Sequence, residues 1–484
     1  MNIELVIIVI LLLGAILISE IAARRKWLPE IICRKLLHLF AGTVVLRIMT
    51  IVDNQLLLVI IGLSFAILLF VIIQTGVLKE INSTGRRGWG IVFFPLSFSI
   101  LVFFFNNELI VAKISFAIMT FSDSFAALFG ILFAKNNYYL GTGKKSYLGS
   151  TIFFITTLII LSLLLIATSV VFSPQLISMI FIVAFILTII EALSSKGSDN
   201  LFVPLFAAVL IKLVFINGHS TSQIDLTVGF VLALFTAVTS IRFKALTKDG
   251  AAVTFILAFI IYGFGGLKWT LPIFVFFVLS SVLSKIRHSR NKLVEERFEK
   301  SGNRDANQVL ANGAVGLILV IANSFFPKEL FYHFYVLYIA SMCADTWGTE
   351  IGTFFKNKTY SIITFREVDA GVSGGVSLLG TLGSVAGALI IVLVSSHWIE
   401  NVWMLLIIAC LAFISSLIDS LLGSTIQVQY KCNICKLDTE KEIHCETKTN
   451  LYSGIKFFNN DVVNLSSGIV ILLIFYLLIL FRAI

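Results

Sequence analysis

Runs of about 16–25 apolar residues recur along the whole chain, separated by short polar stretches. Sixteen can be marked, near 3–19, 36–52, 56–75, 89–105, 109–134, 150–172, 175–193, 201–216, 224–240, 251–266, 269–284, 308–326, 330–346, 371–395, 402–422 and 462–482. At 1.5 Å of rise per residue, runs of this length cross a bilayer core as α-helices. The expected fold is all-α: a polytopic transmembrane helical bundle of about 16 spans.

The polar stretches fall into two alternating sets. One set holds nearly every Lys and Arg, as in "EIAARRKWLPEIICRK", "GVLKEINSTGRRG", "KNNYYLGTGKKSYLG", "IRFKALTKDG" and "KIRHSRNKLVEERFEKSGNRDANQ". The other set reads "DNQ", "NNE", "SPQ", "NGHSTSQ", "LK", "PKE" and "SHWIEN". Basic loops stay cytoplasmic. Both termini are therefore expected outside, in the cell (inner) membrane, with the chemistry facing the cytoplasm. The first run carries Glu4 and is followed by "RRK", the reverse of the charge order in a cleaved signal.

Composition sharpens the class. The 484 residues are 58% hydrophobic and 13% charged, with a mean hydropathy of +1.00. Soluble domains carry about 25% charged residues. The net +9 is accounted for by the cytoplasmic loops, so no nucleic-acid partner is called for.

Against this background a few polar groups are out of place. Asp123 lies in "LIVAKISFAIMTFSDSFAALFGILFA", about 16 Å of helix before the next charge at Lys135. A carboxylate at such depth costs about 3 kcal/mol or more. "CADTWGTEIG" at 343–352 echoes the same pattern, with Asp345, a hydroxyl residue after it and Gly seven positions on. Each motif is followed by a hydroxyl- and glycine-bearing segment that opens the next span, "GKKSYLGST" at 143–151 and "VDAGVSGGVSLLG" at 368–380. Each half then has an acid near the end of a span, Glu191 and Asp419. Each closes with Asp and Asn before another span, at Asp199 and Asn200 and in "NNDVVNL", which holds Asp461. The chain reads as two related eight-span halves, 1–220 and 221–484, the second with a cytoplasmic Cys/His loop at 423–460.

The residue types suggest phosphate chemistry. In "RKLLHLFAG", Arg34, His38 and Gly42 share one helix face. Lys144, Lys145 and Ser146 precede a helix start, where exposed N–H groups attract anions. Arg304 and Asn312 share a face in "GNRDANQVLANG", and Asp369 precedes Gly371 and Gly374 at a second candidate phosphate cradle. Asp123, Glu191, Asp345, Glu350 and Asp419 are candidate Mg²⁺ ligands, and Asp123, Asp199, Asp345 and Asp461 are candidate catalytic acids. Paired interhelical contacts and snorkelling lysines would use the same residues. Of six cysteines, Cys33, Cys343 and Cys410 read as core residues. Cys432, Cys435, His444 and Cys445 have zinc-ligand chemistry.

These motifs resemble two known families. "RKLLHLFAG", "SDSFAALFG", "KKSYLGS" and "EALSSKGSDNLFVPL" are similar to the CTP-dependent polyprenol kinases, the phytol and dolichol kinase family. "RDANQVLANG", "ADTWGTEIG", "VDAGVSGGVSLLGTLGS", "CNIC", "TEKEIHC" and "NNDVVNL" resemble the family containing plant phytyl-phosphate kinase, which often has Gly where this chain has Lys436. The resemblance implies a bifunctional prenol salvage kinase. It would use a nucleoside triphosphate, CTP by the family pattern, with Mg²⁺ to convert a lipid alcohol to its monophosphate and then its diphosphate. A lipid-phosphate transporter and a CTP-using lipid kinase or cytidylyltransferase acting on another lipid are the alternative readings.

Overall fold

The computed structural model describes residues 3–75, 89–167, 173–216, 222–290, 302–355 and 358–481. The loops at 76–88, 168–172, 217–221 and 291–301 lie outside the described residues. The protein is an all-α polytopic membrane protein. Among the described residues, twelve helices are long and apolar enough to cross a membrane, and Gly90–Phe104 is a shorter apolar one.

The chain divides into two compact units, Met1–Gln223 and Ile224–Ile484. The first holds α1 (Ile3–Arg24), α2 (Glu30–Ile51), α3 (Gln55–Thr75), α4 (Gly90–Phe104), α5 (Leu109–Ala117), α6 (Ser124–Phe133), α7 (Tyr147–Ala167), α8 (Pro174–Leu193) and α9 (Asp199–Ile211). The second holds α10 (Gln223–Arg242), which starts at the boundary residue, then α11 (Lys248–Arg290), α12 (Ala306–Phe325), α13 (Glu329–Phe354), α14 (Leu378–Ser395), α15 (Val402–Thr425) and α16 (Asn460–Leu480).

Every expected apolar run falls on a helix, with local differences. The runs 251–266 and 269–284 form one 43-residue helix, α11, kinked where Gly266 takes φ 65°. Helices α2 and α13 are not among the twelve; α2 carries Glu30, Arg34, Lys35 and Arg47, and α13 carries Glu329, Asp345 and Glu350. The run 371–395 is a correction. Its helix begins only at Leu378, capped by Ser377, and Gly371 and Gly374 stand in a turn before it with φ 85° and 78°. Those angles suit glycine, which has no Cβ to clash.

One element pattern occurs in both units. A helical segment bearing the Asp motif is followed by a small antiparallel sheet, then by a serine-capped helix. In the first unit β1 (Asn137–Leu140) pairs with β2 (Gly143–Ser146), and Ser146 Oγ accepts from Gly149 N–H at 3.0 Å. In the second, β3 (Thr359–Ser361) pairs with β4 (Glu367–Val368) and β5 (Gly375–Val376), and Ser377 Oγ accepts from Gly380 N–H at 3.1 Å. The glycine seven residues after each Asp packs on that cap. A Cβ on Gly130 would lie 2.8 Å from Ser146 Oγ, and one on Gly352 would lie 3.1 Å from Ser377 Oγ. The spacing recognised in sequence is thus a close approach of two helices.

Candidate functional site

In the first unit α1 to α4, the hairpin β1–β2 and the loop before α9 enclose a cavity of about 630 Å³. Its deeper wall is apolar, formed by Leu12 and Ile16 of α1, Val45 and Ile48 of α2, Phe65 and Leu69 of α3, and Phe98 of α4. Arg34, Lys35, His38, Lys144, Lys145, Lys196, Asp199 and Asn200 line the other end. An amphiphile with an anionic head matches both ends.

The carboxylates behind this end are paired with lysines. Lys35 Nζ lies 2.5 Å from Asp123 Oδ2, and His38 Nε2 lies 3.8 Å from the same oxygen. Asp123 is the last residue of a π turn, Ile118–Asp123, between α5 and α6. Such single-turn bulges are frequent at functional sites. Lys145 is ion-paired with Glu191. Burial works against its charge, but Glu191 and Asp199 outweigh that and hold it protonated above the usual lysine range. Asp123 and Glu191 therefore stand behind the wall, each on a cation that lines it, and Asp199 is the acid on the wall itself.

The remaining first-unit candidates take defined places. Asn200 donates its amide to the Gly90 carbonyl at 2.8 Å, tying the start of α9 to the start of α4. Ser146 is a helix cap off the cavity wall. A Cβ on Gly42 would collide with the Thr120 side chain, so this glycine packs α2 against the π turn. Lys35 and Lys196 were missed in sequence. Lys35 had a signal, since it stands three residues before His38 and shares its face.

The second unit holds a smaller, polar cavity of about 110 Å³. Asp345 of α13, Asp419 of α15, the glycine turn from Gly371 to Gly375, Asn460, Gln427 and Glu440 line it. The Asp345 and Asp419 carboxyl groups are within hydrogen-bonding reach of each other, and Ser467 Oγ donates to Asp419 Oδ2 at 3.1 Å. Gly383 and Gly387 press α14 onto the Asp345 turn. Cβ atoms there would lie 2.8 Å from the Trp347 carbonyl oxygen and 2.7 Å from that of Cys343.

Other second-unit candidates do not join this cavity. Glu350 is held by Arg287 at 2.6 Å and by Ser284 at 2.5 Å. The Arg304 charge lies near Glu350 and Cys343, and its backbone pairs with Ala245 and Thr247. Asp305, beside Arg304, makes a capping box with Gln308. Asn312 sits one turn further along α12. Asp369 precedes the glycine turn, and Asp461 follows Asn460 in the first turn of α16, both off the cavity wall. Glu440 was missed because nothing local marks it: it meets Ser373, which lies 67 residues away in the chain.

Residues 429–453 form a lobe of short strands, β6 (Gln429–Lys431), β7 (Asp438–Thr439), β8 (Ile443–His444), β9 (Thr447–Lys448) and β10 (Asn450–Ser453). One atom each of Cys432, Cys435, His444 and Cys445 lies within 4.8 Å of the others, the donor set of a structural zinc site. The adjacent ligands His444 and Cys445 reach one point because Cys445 and Glu446 take left-handed backbone at φ 49° and 59°. Lys436, after the CxxC, takes φ 61°. Each such residue is disfavoured by roughly 1–2 kcal/mol. The amides of Cys435 and Ile434 bring the Cys432 thiol down to about 6, and burial pushes Cys445 up to about 11.

Comparison with known proteins gives the following. The family described as "Integral membrane protein DUF92" matches residues 231–472. The chain is 27% identical over 276 residues to "Protein PGR" of Arabidopsis thaliana, covering 51% of this chain and 94% of the relative. It is 28% identical over 205 residues to "Phytol kinase" of Synechocystis sp., covering 41% and 86%. It is 23% identical over 239 residues to "Protein VTE6, chloroplastic" of Arabidopsis thaliana, covering 48% and 65%. No solved structure matches the chain.

Proposed function

The chain belongs to the integral membrane protein family DUF92, and from that premise we propose that it is a bifunctional membrane prenol kinase. The single observation that carries this reading is the first-unit cavity, apolar along four helices and cationic at one end. The similarity to a phytol kinase supports the choice of an isoprenoid alcohol such as phytol or geranylgeraniol.

In the first unit the isoprenoid chain lies along α1 to α4, with its hydroxyl at the cationic end. Arg34, Lys35, Lys144 and Lys145 hold the phosphates of a cytosolic nucleoside triphosphate, CTP by family resemblance, where charge builds up during transfer. The alcohol oxygen bonds to the terminal phosphorus, the bond from that phosphorus to the leaving diphosphate breaks, and Asp199 receives the hydroxyl proton. Asp123 and Glu191 act by holding Lys35 and Lys145 in place.

In the second unit the prenyl monophosphate becomes the diphosphate. A cavity of about 110 Å³ lies well below the roughly 300 Å³ at which sites for whole small molecules begin. It suits phosphate groups, with the chain left outside it. Mg²⁺ fits the acids present, Asp345 and Asp419 in this unit and Asp199 in the first, and it would neutralise phosphate charge there. The sites face the cytoplasm, as the basic loops indicate.

The test is purified protein in nanodiscs with Mg²⁺, γ-labelled CTP and a panel of prenols. Label is expected first in a prenyl monophosphate and then in a diphosphate. Label on diacylglycerol instead, or transfer of the nucleotidyl group, would overturn the assignment.

A further inference from the structure

Glu440 stands on a segment pinned at both ends by the Cys/His cluster. Cys432 and Cys435 lie in the turn between β6 and β7, His444 ends β8, and Cys445 begins the turn to β9. Residues 436–443 run between them. β6 and β7 pair through Tyr430 with Thr439 and Lys431 with Asp438, and Cys432 N–H donates to the Leu437 carbonyl at 3.0 Å.

From this strand end the Glu440 carboxylate accepts from Gln427 Nε2 at 2.7 Å and from Ser373 Oγ at 3.0 Å. Ser373 belongs to the glycine turn of the small cavity, and all three residues line that cavity. The turn is pressed from its other side by α15, because a Cβ on Gly374 would lie 2.6 Å from the Ser420 carbonyl oxygen.

The lobe has a small core, with Tyr430, Cys432 and Thr439 buried, and side-chain hydrogen bonds such as Tyr430 to Glu442 and Thr449 to the Lys441 carbonyl. Its strands are two to four residues long, and Ile434, Ile443, Leu451 and Tyr452 are exposed. A segment this small gains its order from a bound metal. Three thiols and one imidazole, with left-handed backbone at two of the knuckles, favour tetrahedral zinc.

We propose that a zinc ion on Cys432, Cys435, His444 and Cys445 holds Glu440 against the glycine turn, so that the lobe is a metal-dependent wall of the second unit's cavity. Glu440 is then a positioning residue that acts through Ser373 and the turn. The activity arm of the test rests on the prenyl-phosphate kinase reading of that cavity; the structural arm does not.

The structural arm is amide hydrogen exchange on the full chain in nanodiscs. Zinc-loaded protein is compared with protein stripped by a zinc-selective chelator while Mg²⁺ is held in excess. Exchange at 438–443 and at 371–376 is expected to rise at least about tenfold on stripping, with 147–166 unchanged. A wild-type chain that takes up neither zinc nor cobalt overturns the proposal. So does unchanged exchange at 371–376 after verified zinc loss.

In the activity arm, Cys435→Ser and Glu440→Gln should each lower conversion of added monophosphate to diphosphate about tenfold, and the double variant no further. Unchanged prenol to monophosphate conversion reports that the variants are folded and inserted. Full diphosphate formation by metal-free Cys435→Ser would overturn the proposal. A wild-type chain that never phosphorylates the monophosphate would sink the kinase reading instead, with the exchange arm still deciding this one.

Discussion

Lys35 Nζ rests 2.5 Å from Asp123 Oδ2, joining the first turns of α2 to the π turn of the next membrane element but two. The relationship turns a buried carboxylate from a liability into a fixed support for a cation on the cavity wall. Asp123→Asn keeps the volume and removes the charge. Breaking a buried pair of this kind destabilises by about 3–5 kcal/mol. Prenol to monophosphate conversion should fall at least about a hundredfold, which is about 2.7 kcal/mol in the barrier. Conversion of added monophosphate to diphosphate should persist. Thin-layer separation of labelled products from the two substrates checks both halves of this outcome.

Asp345→Asn should give the opposite pattern. The Asp345 and Asp419 carboxyl groups lie beside each other on the wall of the second cavity, and this variant removes one of the two metal-suited acids. Monophosphate should accumulate from prenol, with diphosphate reduced at least about a hundredfold. If either Asp variant loses both activities while inserted normally, the two units do not work as separate sites.

Gly387 offers a test away from the chemistry. A Cβ there would meet the Cys343 carbonyl oxygen at 2.7 Å, a backbone atom that cannot swing aside. Gly387→Leu should lower stability by about 1–3 kcal/mol through overpacking. It should also weaken diphosphate formation, because the displaced turn carries Asp345. Thermal unfolding in nanodiscs reads the first effect, and the product ratio reads the second.

Zinc should co-purify at about one ion per chain. In the metal-free lobe, the depressed Cys432 thiol adds stability that is fully present above its ordinary value near 9 and is lost as pH falls through about 6. Limited proteolysis of the metal-free chain within 429–453 should therefore quicken as pH is lowered from 9 towards 6. A rate that is flat or slows over that window would contradict the linkage.

Sidedness follows from the loop charges. A membrane-impermeant thiol reagent added to intact cells should label cysteines introduced within 396–401. Cysteines introduced within 136–149, and the native Cys435, should be spared. Labelling of the second set from outside would overturn the expected topology.

The sequence alone determined the membrane class, the run of helices and the recurring Asp, glycine and serine pattern. Those are local properties, since burial in lipid demands apolar residues over a fixed length of helix and one polar exception stands out against it. Tertiary structure decided which polar groups meet. Arg34 and His38 were legible as one helix face, but that Asp123 and Glu191 would each be claimed by a lysine depended on packing between distant segments. Glu350 carried the same local promise as Asp345 and went to Arg287 instead, because it stands on a different face of α13. Glu440 had no local signal at all. Its contact with Ser373 depends on a fold-back of the Cys/His lobe over a turn 67 residues earlier, and periodicity carries no information about a contact at that separation.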